Sequence, residues 1–283
     1  MTLVPLTVGV VVTLLMFVGH AVLQRILWRG TSMRRDLAEG NTGRALLQVG
    51  QLLGIVLVAT AVTRGCSQGE NLVEDLQWAG LYGSVALVLL ELASAVGMRL
   101  LVQSRLRAEI VRGNAAAGLA AAGHAVSTAL LISTNLHGTD AAMLPVSVVF
   151  FLAGQAALYA FTLGFRALTS YDDAEEILGE NMAAAWSYAG AMIGVALVGT
   201  HAATGEFEGW GASFLAFGRS QLWVLLFWPV RQVLVQGLLL GARPTLRGGR
   251  LDEEIARDRN VGMGALEALA YIATALFIQT VGT

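Results

Sequence analysis
A chain of 283 residues that is 55% hydrophobic, 13% charged and of mean hydropathy +0.65 holds about half the roughly 25% charge of a soluble domain. That composition excludes an ordinary soluble globular protein and indicates a membrane protein. The net charge of −2 gives no general attraction to nucleic acid, and the single cysteine, Cys66, excludes an intrachain disulfide or a cysteine metal cluster.

A helix needs about 20 mostly apolar residues to cross the hydrocarbon core. No basic stretch precedes the first apolar run, so residues 3–26 read as a first span rather than a cleavable signal. The second span, 42–63, opens at Asn41 in "RDLAEGNTGRALLQVG". The third, 78–103, carries Glu91, and the fourth, 115–135, opens at Asn114 in "AEIVRGNAAAGLAAAG". The fifth is 142–166, and the sixth, 182–203, opens at Asn181 in "EEILGENMAAAWSYAG". The seventh, 217–241, contains Pro229 and Arg231 and is expected to kink at the proline. The eighth, 261–281, opens at Asn260. These runs are too long and too uniformly apolar for alternating barrel strands. The expected fold is an all-α integral membrane protein with eight transmembrane helices.

Fifteen of the eighteen arginines fall in loops one, three, five and seven or at the helix ends beside them. The opposite loops are acidic, with Glu70, Glu74, Asp75, Asp140, Glu206 and Glu208. Basic loops stay in the cytoplasm, so both termini are expected on the outer side. One odd span, one cytoplasmic loop and one even span make a unit, and the chain has four such units in parallel orientation. Repeats of that kind are related by an axis along the membrane normal. "GENLVEDLQW" at 69–78 also resembles "GEFEGWGASF" at 205–214, at an offset of 136. The chain therefore divides into two similar four-helix halves, 1–137 and 138–283.

Asn is a favoured helix N-cap, since its side-chain oxygen takes a free amide hydrogen of the first turn. Such amides are costly beside lipid. The acid ahead of each cap (Asp36, Glu109, Glu176, Glu254) suits the positive end of a helix dipole. Four capped ends on one face could also attract a phosphate or a lipid head group, although acids interleave with the arginines there.

Ionisable groups at membrane depth are candidate sites. Glu91 and Arg231 lie at matching depth in pseudo-equivalent spans and could pair between the halves. Gln48, Tyr188 and Glu267 sit seven residues past their asparagines, while Gln51 and His124 sit ten past theirs. Around a common axis they would form a polar vestibule, broken by Ala121, Ala191 and Ala270; the simpler reading is hydrogen bonding between helices. His20 reads as a satisfied histidine. No spacing among the histidines suggests a metal site, and no catalytic residue or cofactor is expected.

"LTSYDDAEEILGENMAAAWSYAGAMIG" and "AEIVRGNAAAGLAAAG" resemble the repeat signature of the bacterial membrane family called domain of unknown function 350, and "IARDRNVGMGALEALAYIATAL" resembles the ending of its members. The resemblance covers nearly the whole chain as a tandem pair. Residues 1–137 match less closely, with Leu37 in place of isoleucine and Asp36 as the acid. It implies the bacterial inner membrane and a genomic neighbourhood of envelope-stress coat proteins and glutathionylspermidine-synthase-like ligases. It carries no catalytic motif, so it points to partners rather than chemistry. The expected role is a scaffold or anchor, not an enzyme, in contact with the lipid bilayer. Its loops could recruit a cytoplasmic protein, and the chain could form a homo-oligomer; no nucleic acid is expected. The alternative is a small-ion or small-solute channel or transporter with a path near Glu91 and Arg231.

Overall fold
The computed structural model describes residues 3–102, 105–202 and 207–281. Glu206 and part of the stretch compared at 205–214 lie outside the described residues. Among the described residues, eight helices are long and apolar enough to cross a membrane. The even spans are α3 (Thr42–Cys66), α6 (Ala115–Asn135), α9 (Met182–Ala202) and α13 (Val261–Val281). The odd spans are α1 (Leu3–Leu27), α4 (Leu72–Val102), α7 (Leu144–Leu168) and a composite seventh span from Trp210 to Leu239. Spans three and seven begin earlier than composition suggests, at Leu72 and Trp210. Their first turns hold polar residues that an apolar window discounts.

Before each even span lies a short helix: α2 (Met33–Ala38), α5 (Leu106–Arg112), α8 (Asp173–Leu178) and α12 (Arg250–Asp252), the last continued by a π turn over Glu253–Arg257. The chain then reverses through one left-handed residue: Gly40 (φ 79°), Gly113 (φ 102°), Glu180 (φ 65°) or Arg259 (φ 50°). Glycine takes this conformation without steric cost, whereas Glu180 and Arg259 strain against their own Cβ atoms. The next residue is the asparagine in all four units.

The even spans form a row. α3 packs on α6, α6 on α9 and α9 on α13, while α3 and α13 stand at opposite ends. The odd spans make a second layer: α1 rests on α3 and α4, α4 also on α6, and α7 on α6 and α9. The row is close because its contact positions are small. Gly50, Gly123 and Gly190 each sit nine residues past their asparagine, and each faces the Ala eight past the next one: Ala122, Ala189 and Ala268. A methyl at Gly50 would stand 2.5 Å from the Ala122 Cα, and one at Gly123 2.8 Å from the Ala189 Cα. Close backbone approach through small residues is how membrane helices gain packing energy. At the ends this register stops on bulky exposed residues, Val49 at the α3 position and Leu269 at the α13 position.

The four units therefore succeed one another along a line and do not surround an axis. The expected vestibule is corrected on this point. Gln48, Ala121, Tyr188 and Glu267 are all buried, but they lie one per helix along the row. The proline effect is also larger than a kink. The seventh span passes from α10 (Trp210–Gln221) through a 3₁₀ segment, Leu222–Leu226, to α11 (Phe227–Val230) and a π segment, Arg231–Leu239.

Candidate functional site
The asparagines do cap their helices. The side-chain oxygen of Asn41 accepts from the Arg44 amide at 2.7 Å, that of Asn114 from Ala117 at 3.0 Å, that of Asn181 from Ala183 and Ala184, and that of Asn260 from Met263 at 3.3 Å. The amide end does something further. Asn41 Nδ2 donates to the Val111 carbonyl, Asn114 Nδ2 to Ile177 and Leu178, and Asn181 Nδ2 to Ile255. Each acceptor ends, or follows within, the short helix of the next unit. One side chain thus caps its own span and ties it to its neighbour. Asn260 Nδ2, in the fourth unit, donates to Glu254 at 3.1 Å.

The acids ahead of the caps share this work. Glu109 and Glu176 also accept from their asparagines, at 3.3 and 2.8 Å. Arg112 bonds the Glu109 carboxylate and holds its pKa below the ordinary value, against the effect of partial burial. In all four units the backbone carbonyl of the acid accepts from the asparagine amide, Asp36 from Asn41 included. A phosphate bound on the caps, as the arginine-rich loops suggested, is not favoured by this geometry. The inner caps are covered by the next unit, and Asn114 and Asn181 are buried.

The intramembrane charges form two clusters at the two ends of the row. In the first, His20 Nδ1 and Glu91 Oε1 are 2.5 Å apart, and Gln24 Nε2 donates to Glu91 Oε2 at 3.1 Å. Gln24 in turn accepts from Arg44 Nη2 at 3.1 Å. On the other side of the imidazole, His20 Nε2 lies 3.4 Å from Gln48 Oε1, and Gln48 Nε2 donates to Gln51 Oε1 at 2.8 Å. All six side chains are buried. The polar chain runs Arg44–Gln24–Glu91–His20–Gln48–Gln51. Its deepest member is ten residues past Asn41, about 15 Å along the helix at 1.5 Å per residue.

The second cluster centres on Arg231, which bonds Asp252 through Nη2 and Glu267 through Nε. Tyr271 Oη donates to Glu267 Oε1 at 2.8 Å, and Ser170 Oγ donates to Asp252 Oδ2 at 2.9 Å. Arg231, Asp252 and Glu267 are each no more than 1% exposed. The pair expected between Glu91 and Arg231 is therefore corrected: each charge is satisfied inside its own half. The physical reason is reach. The row places their helices at opposite ends, and closer partners lie on adjacent elements: His20 and Gln24 on α1 for Glu91, and Asp252 and Glu267 on the following loop helix and span for Arg231.

Between the clusters the row is nearly neutral. His124 Nε2 lies 3.3 Å from the Ala93 carbonyl, and its ring stacks on Tyr159 at 6.0 Å. Tyr188 is buried beside this region. These two do not join either charged cluster, which supports the bland reading of helix-to-helix contact for them.

Of the acids in loop five, Asp172 caps α8 and bonds Arg166 at 2.9 Å, while Asp173 is buried with Arg166 Nε 3.5 Å away. Burial pushes the Asp173 carboxyl up to about 7; Arg166 opposes this, and Glu267, Asp172 and Asp252 add to it. Glu175 and Glu180 remain exposed, with Glu180 paired to Arg112 at 3.0 Å.

Sequence reasoning missed Gln24, Arg44, Asp252 and Tyr271 as members of the clusters. The signals were present for two of them. Gln24 follows His20 by four residues and Tyr271 follows Glu267 by four, the spacing of one helix face. Arg44 reads only as a boundary arginine, and Asp252 only as a loop acid, until the tertiary packing buries them.

A family model described as Domain of Unknown Function (DUF350) matches residues 2–136 and again 138–281. A curated relative from Aquifex aeolicus (strain VF5), a "UPF0719 transmembrane protein", is 30% identical over 137 residues, which is 46% of this chain and 51% of the relative. The chain thus spans about half the length of the curated relative it matches. No solved structure matches.

Proposed function
This chain belongs to the DUF350 family as a tandem two-copy, multi-pass membrane protein, and on that premise we propose that it is a scaffold in the bacterial inner membrane whose cytoplasmic loops hold a soluble partner of an envelope-maintenance complex. The carrying observation is where the charge goes. At membrane depth, Glu91, Arg44, Arg231 and Glu267 are engaged with buried partners. The even spans meet closely through glycine and alanine. Charges free to meet a partner are then those of the cytoplasmic rim, including Glu175 and Arg34. In this reading both termini face outward, a further copy of the chain can join the assembly, and no enzymatic role is assigned.

The test is flux together with co-purification. Purified protein in liposomes should pass no protons, potassium or small anions beyond empty vesicles. A cytoplasmic partner retained by the wild-type chain should be lost on Glu175→Arg with Glu180→Arg. Reversing Asp172, Asp173 and Glu176 is unsuitable, because those side chains hold α8 and the Asn181 cap. Flux that disappears in Glu91→Gln would overturn the scaffold.

One observation favours the transport reading. The pair Glu91 and His20 can exchange a proton at membrane depth, and Gln48 and Gln51 extend its hydrogen bonds along α3 without being carriers themselves. Proton flux abolished by His20→Gln would establish it.

A further inference from the structure
The cytoplasmic ends of the first and third spans enclose a cavity of about 120 Å³, lined by Leu27, Trp28, Met98, Arg99, Leu106 and Arg107 among others. Its lining has two guanidinium groups and no acid. Arg107 is fixed in place, donating to the Leu27 carbonyl at 2.8 Å and the Arg29 carbonyl at 3.1 Å, with its Cζ 4.8 Å from the centre of the Trp28 ring. Two of its five N–H groups are used in this way, so three remain to meet a ligand. Arg44 lies 3.9 Å from the centre of the same ring, is 1% exposed, and has no partner for Nε or Nη1. A buried guanidinium with unmet donors behind the wall is a cost that a nearby anion offsets.

The two halves differ in this respect. Among the described residues, Arg25, Arg29, Arg34, Arg99, Arg105 and Arg107 form no ion pair. In the second half Arg231, Arg250, Arg257 and Arg259 are each matched to an acid, which leaves Arg243 and Arg247 as the unpaired arginines of its seventh loop among the described residues. The first half therefore carries unneutralised positive charge where its spans leave the hydrocarbon, and the cavity sits there.

We infer that this cavity binds the phosphate of an anionic phospholipid, with Arg99 and Arg107 on the phosphate and Leu27, Met98 and Leu106 beside the glycerol and first acyl carbons. Basic pockets between spans on the cytoplasmic side suit anionic head groups, and an apolar wall next to two arginines matches an amphipathic ligand better than a free ion. The site is distinct from the asparagine caps and from both buried clusters.

The test is lipid retention by the full-length chain, read by native mass spectrometry from detergent containing equal phosphatidylglycerol and phosphatidylcholine. The wild type should retain phosphatidylglycerol selectively. Arg99→Gln should reduce that retention about fivefold, the equivalent of about 1 kcal/mol for one arginine near an anionic membrane. Arg99 makes no described hydrogen bond, so the variant should elute as folded protein. Arg257→Gln, on the same face in the other half, should leave retention unchanged. Equal retention in wild type and Arg99→Gln, or an equal loss in both variants, would overturn the site. Inorganic phosphate protecting against heat as well as the lipid does, and only in the wild type, would replace the lipid with a soluble phosphate and overturn the lipid assignment.

Discussion

His20 and Glu91 are 71 residues apart in sequence and 2.5 Å apart in the fold. Each is a direct hydrogen-bond partner of the other, so their substitutions should not add. In a double-mutant cycle of His20→Gln and Glu91→Gln, read by thermal unfolding in detergent, the coupling should be about 1 kcal/mol or more, as for groups in one hydrogen-bond network. The same cycle on Glu91→Gln and Arg231→Gln should be additive within about 0.5 kcal/mol. Coupling in the second cycle would restore a link between the halves that the geometry excludes. Asp173 gives a pH prediction. Its folded carboxyl titrates near 7, above the ordinary carboxylate value of 3.8, so the folded state binds the proton more tightly than the unfolded one. Its contribution is full below about pH 4 and is lost as pH rises through 7, with a slope of at most about 1.4 kcal/mol per pH unit. Asp173→Asn should flatten the fall of the unfolding midpoint between pH 5 and 7.5; an unchanged slope would mean that Arg166 keeps the carboxylate ionised.

The helix seam shows what an element contributes beyond its hydropathy. Every span reads as apolar, yet glycines at the seams, Gly50, Gly123 and Gly190 together with Gly43, Gly118 and Gly264, set how close the even helices come. Gly190 meets the backbone of Ala268, whereas a Cβ at Gly164 would meet nothing within 4 Å. Gly190→Val should therefore separate α9 from α13 and lower the unfolding midpoint strongly, as overpacking a tight core costs roughly 1–3 kcal/mol. Gly164→Ala should be neutral or slightly stabilising, since alanine is the better helix former. Comparable effects of the two would show that the seam is not close-packed. The asparagine caps were legible because capping is local: an oxygen and an amide three residues apart. Their second bond, to the next unit, was not. The carbonyls that receive it lie 63 to 74 residues away, and no local pattern marks an acceptor carbonyl.

At the scale of the molecule, the two family copies are joined by the same kind of contact that operates within each. α6 belongs to the first copy and α9 to the second, and Gly123 meets Ala189 between them. Residues 1–137 and 138–283 co-expressed as separate chains should therefore purify together, and Gly123→Leu should separate them. Failure of the unmodified halves to associate would mean that the covalent link, not the seam, holds the row. Beyond that junction the row ends by design of its side chains. Val49 and Leu269 occupy the positions where inner units carry alanine and glycine, so a further unit cannot approach in the same register.

The class, the eight spans, the four parallel units and the caps were legible in the chain before any fold was known. Those features follow from hydropathy, helix length and hydrogen bonds within one turn, all of which are written within short windows. The resemblance that placed the chain in its family rested on the same windows. Packing settled the rest: the units form a row rather than a ring, and Glu91 and Arg231 belong to separate clusters. A repeat is compatible with either arrangement. What selects between them is the direction in which each small-residue contact points on its helix, and equivalent spacing along the chain does not encode that direction.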